Sequence, residues 1–121
     1  MSFLFVGLGG AIGAILRYAL SLLPLKNDFP FWTLLTNFLG AVAIGFIAQT
    51  ASKIGLSENT VLFLKTGVCG GFTTFSTFSL EAYRLFQNKK ITIGAVYILL
   101  SVVLCLGGIA LGMWLSNIKI K

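Results

Sequence analysis

Residues 67–79 read Gly67-Val68-Cys69-Gly70-Gly71-Phe72-Thr73-Thr74-Phe75-Ser76-Thr77-Phe78-Ser79. An apolar run opens near Val61, but here it admits Gly67, Gly70 and Gly71, then five hydroxyl residues, and ends with Glu81 and Arg84. Adjacent glycines lower helix propensity, and the Thr-Thr pair after them lowers it further. The stretch therefore predicts a helix broken at Gly70-Gly71, unless the glycines only bring an unbroken helix close to a neighbour. Backbone groups freed inside a bilayer are tolerated only within protein or against a water-filled cavity. Freed carbonyls converging from two subunits would suit a small cation.

The rest of the chain makes the bilayer its solvent. Of 121 residues, 57% are hydrophobic and only 10% charged, with a mean hydropathy of +0.97. That leaves too few polar residues to clothe a water-soluble domain. The charges fall mostly between apolar runs at 3–23, 31–50, 61–86 and 91–115, each of the length a span requires. The first run does not fit a secretory signal, because no Lys or Arg precedes it and Arg17 interrupts it. Pro24, Asn27, Asp28 and Pro30 mark the first turn. In the second connection, Ser57 or Asn59 can cap the next helix. Trp32 and Trp114 stand at interface positions. Short connections make neighbouring helices antiparallel. The expectation is an all-α integral membrane protein, one domain over residues 1–121, with four transmembrane helices and a break in the third.

An even number of spans puts both termini on one side. That side carries Lys53, Lys65, Lys119 and Lys121, if Lys65 snorkels back. The other carries Lys26, Arg84, Lys89 and Lys90, and Arg17 lies within the first span. Orientation follows an asymmetry of loop Lys and Arg, and here there is almost none. A chain without bias inserts both ways, and its functional unit would then be an antiparallel, dual-topology homodimer, unless Arg17 or a translocation partner breaks the tie. The pairs Gly9/Gly13, Gly67/Gly71 and Gly108/Gly112 match the small-residue spacing of close helix packing. The net charge of +6 is explained by loop cations, and no basic stripe with interleaved aromatics suggests nucleic acid.

Candidate functional residues cluster on the third run. Phe75 and Phe78 share a helical face, and ring edges carry partial positive charge that can contact an anion. Thr74, Thr77, Glu81 and Arg84 form a polar stripe beside them; the other reading of the rings is lipid contact or packing. Asn37 places an amide with two donors at a depth where lipid offers no partner; it serves either an ion or an interhelical hydrogen bond. Arg17 lines an anion vestibule or ties helices through backbone carbonyls, and the structural role is favoured, because a fixed charge in a narrow pore would trap an anion. On the fourth run Tyr97, Ser101 and Cys105 recur every four residues and define one face.

On these residues the chain resembles the small fluoride channel family, called Fluc or CrcB-type proteins, nearly end to end. Gly9-Gly10-Ala11-Ile12-Gly13-Ala14 with Arg17-Tyr18 is similar to the first-helix signature, Thr36-Asn37-Phe38-Leu39-Gly40 to the second, and residues 67–79 to the third, a highly specific string. The resemblance implies antiparallel dual-topology homodimers in the bacterial cytoplasmic (inner) membrane, with two fluoride pathways and passive fluoride efflux. It implies a structural sodium ion at the dimer interface, held by backbone carbonyls of Gly70 and Thr73. The pathway residues it implies are Asn37, Phe75, Phe78, Thr77, Ser79, Tyr97 and Ser101. Cys105 departs from the pattern, since a serine is familiar at the matching place.

Two other readings compete. A small dual-topology multidrug cation exporter needs a membrane-embedded carboxylate, but Asp28 and Glu58 lie in connections and Glu81 near a helix end. A non-transporting assembly subunit accounts for the glycines and leaves Asn37 and the Phe/Thr/Ser stripe unexplained. An enzyme is not expected. Histidine is absent, and Cys69 and Cys105 form neither a disulfide framework nor a metal motif.

Overall fold

The computed structural model describes Met1–Ile120; Lys121, counted above among the terminal-side charges, lies outside the described residues. Helix α1 covers Ser2–Ser21 and α2 Phe31–Ile54. The third run is built in pieces: α3 (Glu58–Val61), a π-helical stretch (Leu62–Cys69), α4 (Gly70–Phe72) and α5 (Phe75–Gln87). Helix α6 covers Ile91–Lys119.

Local chemistry sets the ends. Pro30, which has no N–H to donate, opens α2. Gly55 closes it in the left-handed conformation, φ 66°, and its N–H bonds Ala51 O. Ser57 rather than Asn59 caps α3, its Oγ accepting the Thr60 N–H at 3.2 Å. The turn from α5 to α6 passes through Lys89 at φ 62°, with Lys90 N–H donating to Leu85 O at 2.8 Å. An ion pair between Lys90 and Asp28 fastens that turn to the connection between α1 and α2.

Small residues lie inside and large apolar ones outside, the pattern of a chain whose solvent is lipid. Phe3 is 93% exposed, and Leu99, Leu106 and Ile15 are also outward-facing, whereas Thr36, Thr50, Ser101 and Ser116 are buried. Helices α1, α2 and α6 are each long and apolar enough to cross a membrane.

The helices pack as two close pairs. Helix α1 lies against the π-helical stretch and α4, where a Cβ on Gly9 would come within 2.9 Å of Gly67 Cα and one on Gly13 within 2.7 Å of Phe72 N. Helix α2 lies along α6, and Gly112 faces Phe46 N in the same way. The Thr50 and Ser116 hydroxyls share a buried 2.8 Å hydrogen bond in that seam. Helix α5 packs on α6 and α2 around Leu34, Ala82, Leu85 and Tyr97, with Phe29, Phe78, Ile93 and Ile98 against them.

The third run does break, but three residues beyond the expected place. Gly70 and Gly71 are helical, and Thr73 (φ −80°, ψ 155°) and Thr74 (φ −150°, ψ 121°) are extended. Of the pair, Gly71 serves packing, because a Cβ there would lie 2.9 Å from Gly10 Cα, whereas one on Gly70 would meet only Lys65 O at 3.8 Å. What ends the helix is a side chain from α2, as the site shows.

Candidate functional site

At the break two helical ends face one another, each with unpaired backbone groups. In an unbroken helix the Thr74 N–H would reach back to Gly70 O. It donates instead to Asn37 Oδ1 at 2.8 Å, and Asn37 Nδ2 donates to Thr74 O at 3.1 Å. The amide of α2 thus pairs with both polar groups of one peptide residue. The Thr77 N–H, which would otherwise seek Thr73 O, donates to Thr74 Oγ1 at 3.1 Å and so caps α5. These two diversions release the carbonyls of Gly70 and Thr73 from the helical ladder. Thr73 itself is tied back to Cys69 O through its N–H (3.0 Å) and Oγ1 (2.9 Å).

Beside the break runs a groove of about 320 Å³, walled by Asn37, Thr73, Thr74, Phe75, Phe78 and Ser101, with Ala41, Ile44, Val102, Cys105 and Ile109 completing it. The structure therefore brings Asn37, Phe75, Phe78 and Ser101 together, from α2, α5 and α6. Only one of the two Asn37 amide hydrogens is needed by Thr74 O, which leaves a donor for the groove. Ser101 is 6% exposed, and its Oγ has no hydrogen-bond partner, an uncommon state for a buried hydroxyl. The rings of Phe75 and Phe78 stand 5.6 Å apart and tilted by 52°. Phe75 is 79% exposed. Among the described residues, no charged side chain lines this groove.

Other named residues lie outside it. Thr77 lines a separate cavity of about 230 Å³ with Arg17, Ser21, Trp32, Thr33 and Thr36. There Arg17 Nε donates to Gly71 O at 3.2 Å, joining α1 to α4. Ser79 donates to Phe75 O of its own helix at 2.9 Å.

Tyr97 is fully buried behind Phe78, with ring centroids 5.1 Å apart. Its hydroxyl donates to Glu81 Oε1 at 3.0 Å, while Thr33 Oγ1 donates to Glu81 Oε2 at 3.0 Å. This hydroxyl–carboxylate–hydroxyl bridge was not expected. Its one signal in the sequence is Glu81 itself, the only carboxylate in the third apolar run. Nor did the sequence signal the unpartnered buried indole N–H of Trp32. The apolar wall of Ala41, Ile44, Val102 and Ile109 is likewise silent in sequence, since nothing marks it apart from other apolar positions.

The arrangement can hold a small solute against neutral donors, aromatic rings and apolar walls. Comparison with known proteins narrows the chemistry. The sequence model of the family described as "CrcB-like protein, Camphor Resistance (CrcB)" matches residues 4–113. A protein of Ruminiclostridium cellulolyticum named Fluoride-specific ion channel FluC is 46% identical over 116 aligned residues, covering 93% of this chain and 89% of its own length. Proteins of the same name from Clostridium perfringens and Granulibacter bethesdensis are similar as well. The former is 45% identical, covering 95% of this chain and 93% of its own length. The latter is 41% identical, covering 100% and 98%.

Proposed function

The chain belongs to the CrcB-like family, and on that premise we propose that it is a fluoride-specific ion channel through which fluoride leaves the cytoplasm passively. The observation that carries the reading is the convergence of Asn37, Phe75, Phe78 and the unpartnered Ser101 hydroxyl on one groove free of charged side chains. Fluoride is small and holds its water tightly, so a path must replace that water with close donors. Neutral amide, hydroxyl and ring-edge contacts can do so without the trap a fixed cation would set. Arg17 stands away from the groove with its Nε on a backbone carbonyl. Larger anions such as chloride would meet the Phe75 and Phe78 rings before reaching the same donors.

We assign Asn37, Phe75, Phe78 and Ser101 to the wall of the pathway. Thr77 and Ser79 flank it on α5, and Tyr97 supports the Phe78 ring from behind. In this reading α3 through α5 together form a fourth transmembrane traverse, and the protein lies in the bacterial cytoplasmic membrane. The working unit is an antiparallel dual-topology homodimer, supported by the near-even charge on the two sides and by the exposed Phe75 ring beside the break. A sodium ion between the copies is supported by the Gly70 and Thr73 carbonyls released from the ladder. Carbonyl oxygens are the donors a hard cation prefers, and a bound cation there would fasten two breaks together. No named relative supports a cation exporter or an assembly subunit.

The test is release of fluoride from liposomes holding the purified protein, read with a fluoride electrode in sodium-containing buffer, with chloride-loaded liposomes in parallel. Fluoride release without chloride release, lost in Phe78→Ile, is the expected result. A folded protein that releases no fluoride would sink the reading.

A further inference from the structure

The groove contains one side chain that the proposed conduction does not require. Cys105 lies one helical turn beyond Ser101 on α6, is half-buried, and lines the same groove as Asn37 and Phe78. It is a free thiol, as is Cys69, which is buried and does not line the groove. A thiol is a weak donor and acceptor, so Cys105 adds little to the holding of an anion; what it adds is nucleophilic chemistry. The neighbouring Ser101 hydroxyl points independently to a guest at this depth. It is more than nine-tenths buried, lines the groove and has no partner among the described residues. A buried polar group of that kind is normally satisfied by water or ligand. The groove volume of about 320 Å³ exceeds the share of a single water about tenfold. Small polar species can therefore reach within one turn of the Cys105 sulfur.

We propose that Cys105 is a modification site within the groove, through which a small neutral thiol-reactive compound or a soft monovalent cation closes the pathway. The proposal rests on the groove being the fluoride pathway. With a methyl alkanethiosulfonate, the Cys105 sulfur attacks the sulfenyl sulfur, a mixed disulfide forms, the S–SO₂ bond breaks and sulfinate leaves. The thiol proton passes to solvent. No further oxidant is needed, and an added dithiol reverses the step by thiol–disulfide exchange. The methylthio group then takes up space in the groove that Ser101 and Phe78 also line. Silver ion would act by replacing the thiol proton, because thiolate prefers soft metals.

The experiment treats the intact protein in liposomes with methyl methanethiosulfonate. Site-resolved mass spectrometry and fluoride release are then read on the same sample. The expected result is an S-methylthio adduct (mixed disulfide) on Cys105 with Cys69 spared, loss of most fluoride release, and recovery on adding dithiothreitol. Release by Cys105→Ser, taken as the ratio of treated to untreated, should not change, while Cys69→Ser should keep the loss. A Cys105 left unlabelled, when denatured protein labels at both cysteines, overturns the proposal; so does a labelled Cys105 with undiminished release. The labelling does not depend on flux. Untreated protein that carried no fluoride would overturn the functional reading, and Cys105 labelling would still decide the site.

Discussion

Asn37 and Thr74 exchange two hydrogen bonds, side-chain amide to backbone, across a sequence separation of 37 residues. The pair does what a neighbouring strand does for an extended residue, with one side chain standing for a whole peptide unit. It therefore both satisfies the break and holds the Asn37 amide at the groove. Asn37→Ala should leave the Thr74 N–H without a partner and remove one of the bonds that Thr74 C=O accepts, the other being the first of its own helix. Interhelical hydrogen bonds in membranes are typically worth about 0.6–1.7 kcal/mol, and two are lost together. The expected outcome is a destabilisation of about 1–3 kcal/mol, read by equilibrium unfolding in mixed detergent, together with loss of fluoride release. Retained release with lowered stability would restrict Asn37 to a structural role.

Phe78 faces two ways: its ring lines the groove and leans on the buried Tyr97 ring at 5.1 Å. Phe78→Ile keeps apolar bulk and removes the ring edge. Aromatic pairing is worth about 0.5–1.5 kcal/mol beyond area, so the variant should fold with a modest loss of stability. Fluoride release should fall to the level of protein-free liposomes. Phe75→Ile, at an exposed ring, should leave protomer stability unchanged while release falls.

The membrane class was legible because composition carries it, and some helix ends because they are local, although α2 and α6 run on to Ile54 and Lys119, past the expected 50 and 115. Pro30, Gly55 and Ser57 act within a few residues of themselves. The break falls three residues later than propensity places it, for the opposite reason. Propensity marks Gly70-Gly71 as weak, but Gly10 on α1 closely approaches Gly71 and the pair stays helical. The helix yields at Thr73 and Thr74, where Asn37 supplies the missing partners. Spacing on α6 likewise placed Tyr97 with Ser101 and Cys105 on one face. Only Ser101 and Cys105 line the groove, because Glu81 draws the Tyr97 hydroxyl toward α5. Each departure depends on a partner distant in sequence, which periodicity cannot register.

Glu81 accepts from both Tyr97 and Thr33, so its two carboxylate oxygens join α5, α6 and α2. Glu81→Ala strands a fully buried tyrosine hydroxyl. Leaving a buried donor unpaired costs about 1–3 kcal/mol. Glu81→Gln keeps one good acceptor, so its loss should be no more than about half as large. Thermal unfolding in detergent ranks the three proteins, with wild type above Gln and Gln above Ala. Equal behaviour of Gln and Ala would mean the bridge depends on the charge rather than on its acceptors.

The two classes of glycine give opposite expectations. Gly71→Ala drives a methyl against the Gly10 backbone, where neither helix can retreat without losing the Arg17 contact to Gly71 O. Overpacking of this kind costs about 1–3 kcal/mol. Gly107→Ala meets nothing within 4 Å. It should be neutral, or stabilising by less than about 1 kcal/mol through helix propensity. Unfolding midpoints of the two variants against wild type check both signs at once.

Removal of sodium tests the cation reading separately from the pathway. The Gly70 and Thr73 carbonyls are released because Asn37 and Thr74 Oγ1 take the donors that would otherwise reach them. In the proposed dimer, carbonyl oxygens without donors would face one another across a low-dielectric interface, and a bound cation would turn that repulsion into attraction. Protein dialysed into choline with a sodium-selective cryptand should lose fluoride release progressively, and restoring sodium should recover it. If the ion joins two copies as proposed, crosslinking between them should weaken over the same time course. Full release and undiminished crosslinking in the absence of sodium would sink the cation reading. The freed carbonyls would then have to be satisfied by water.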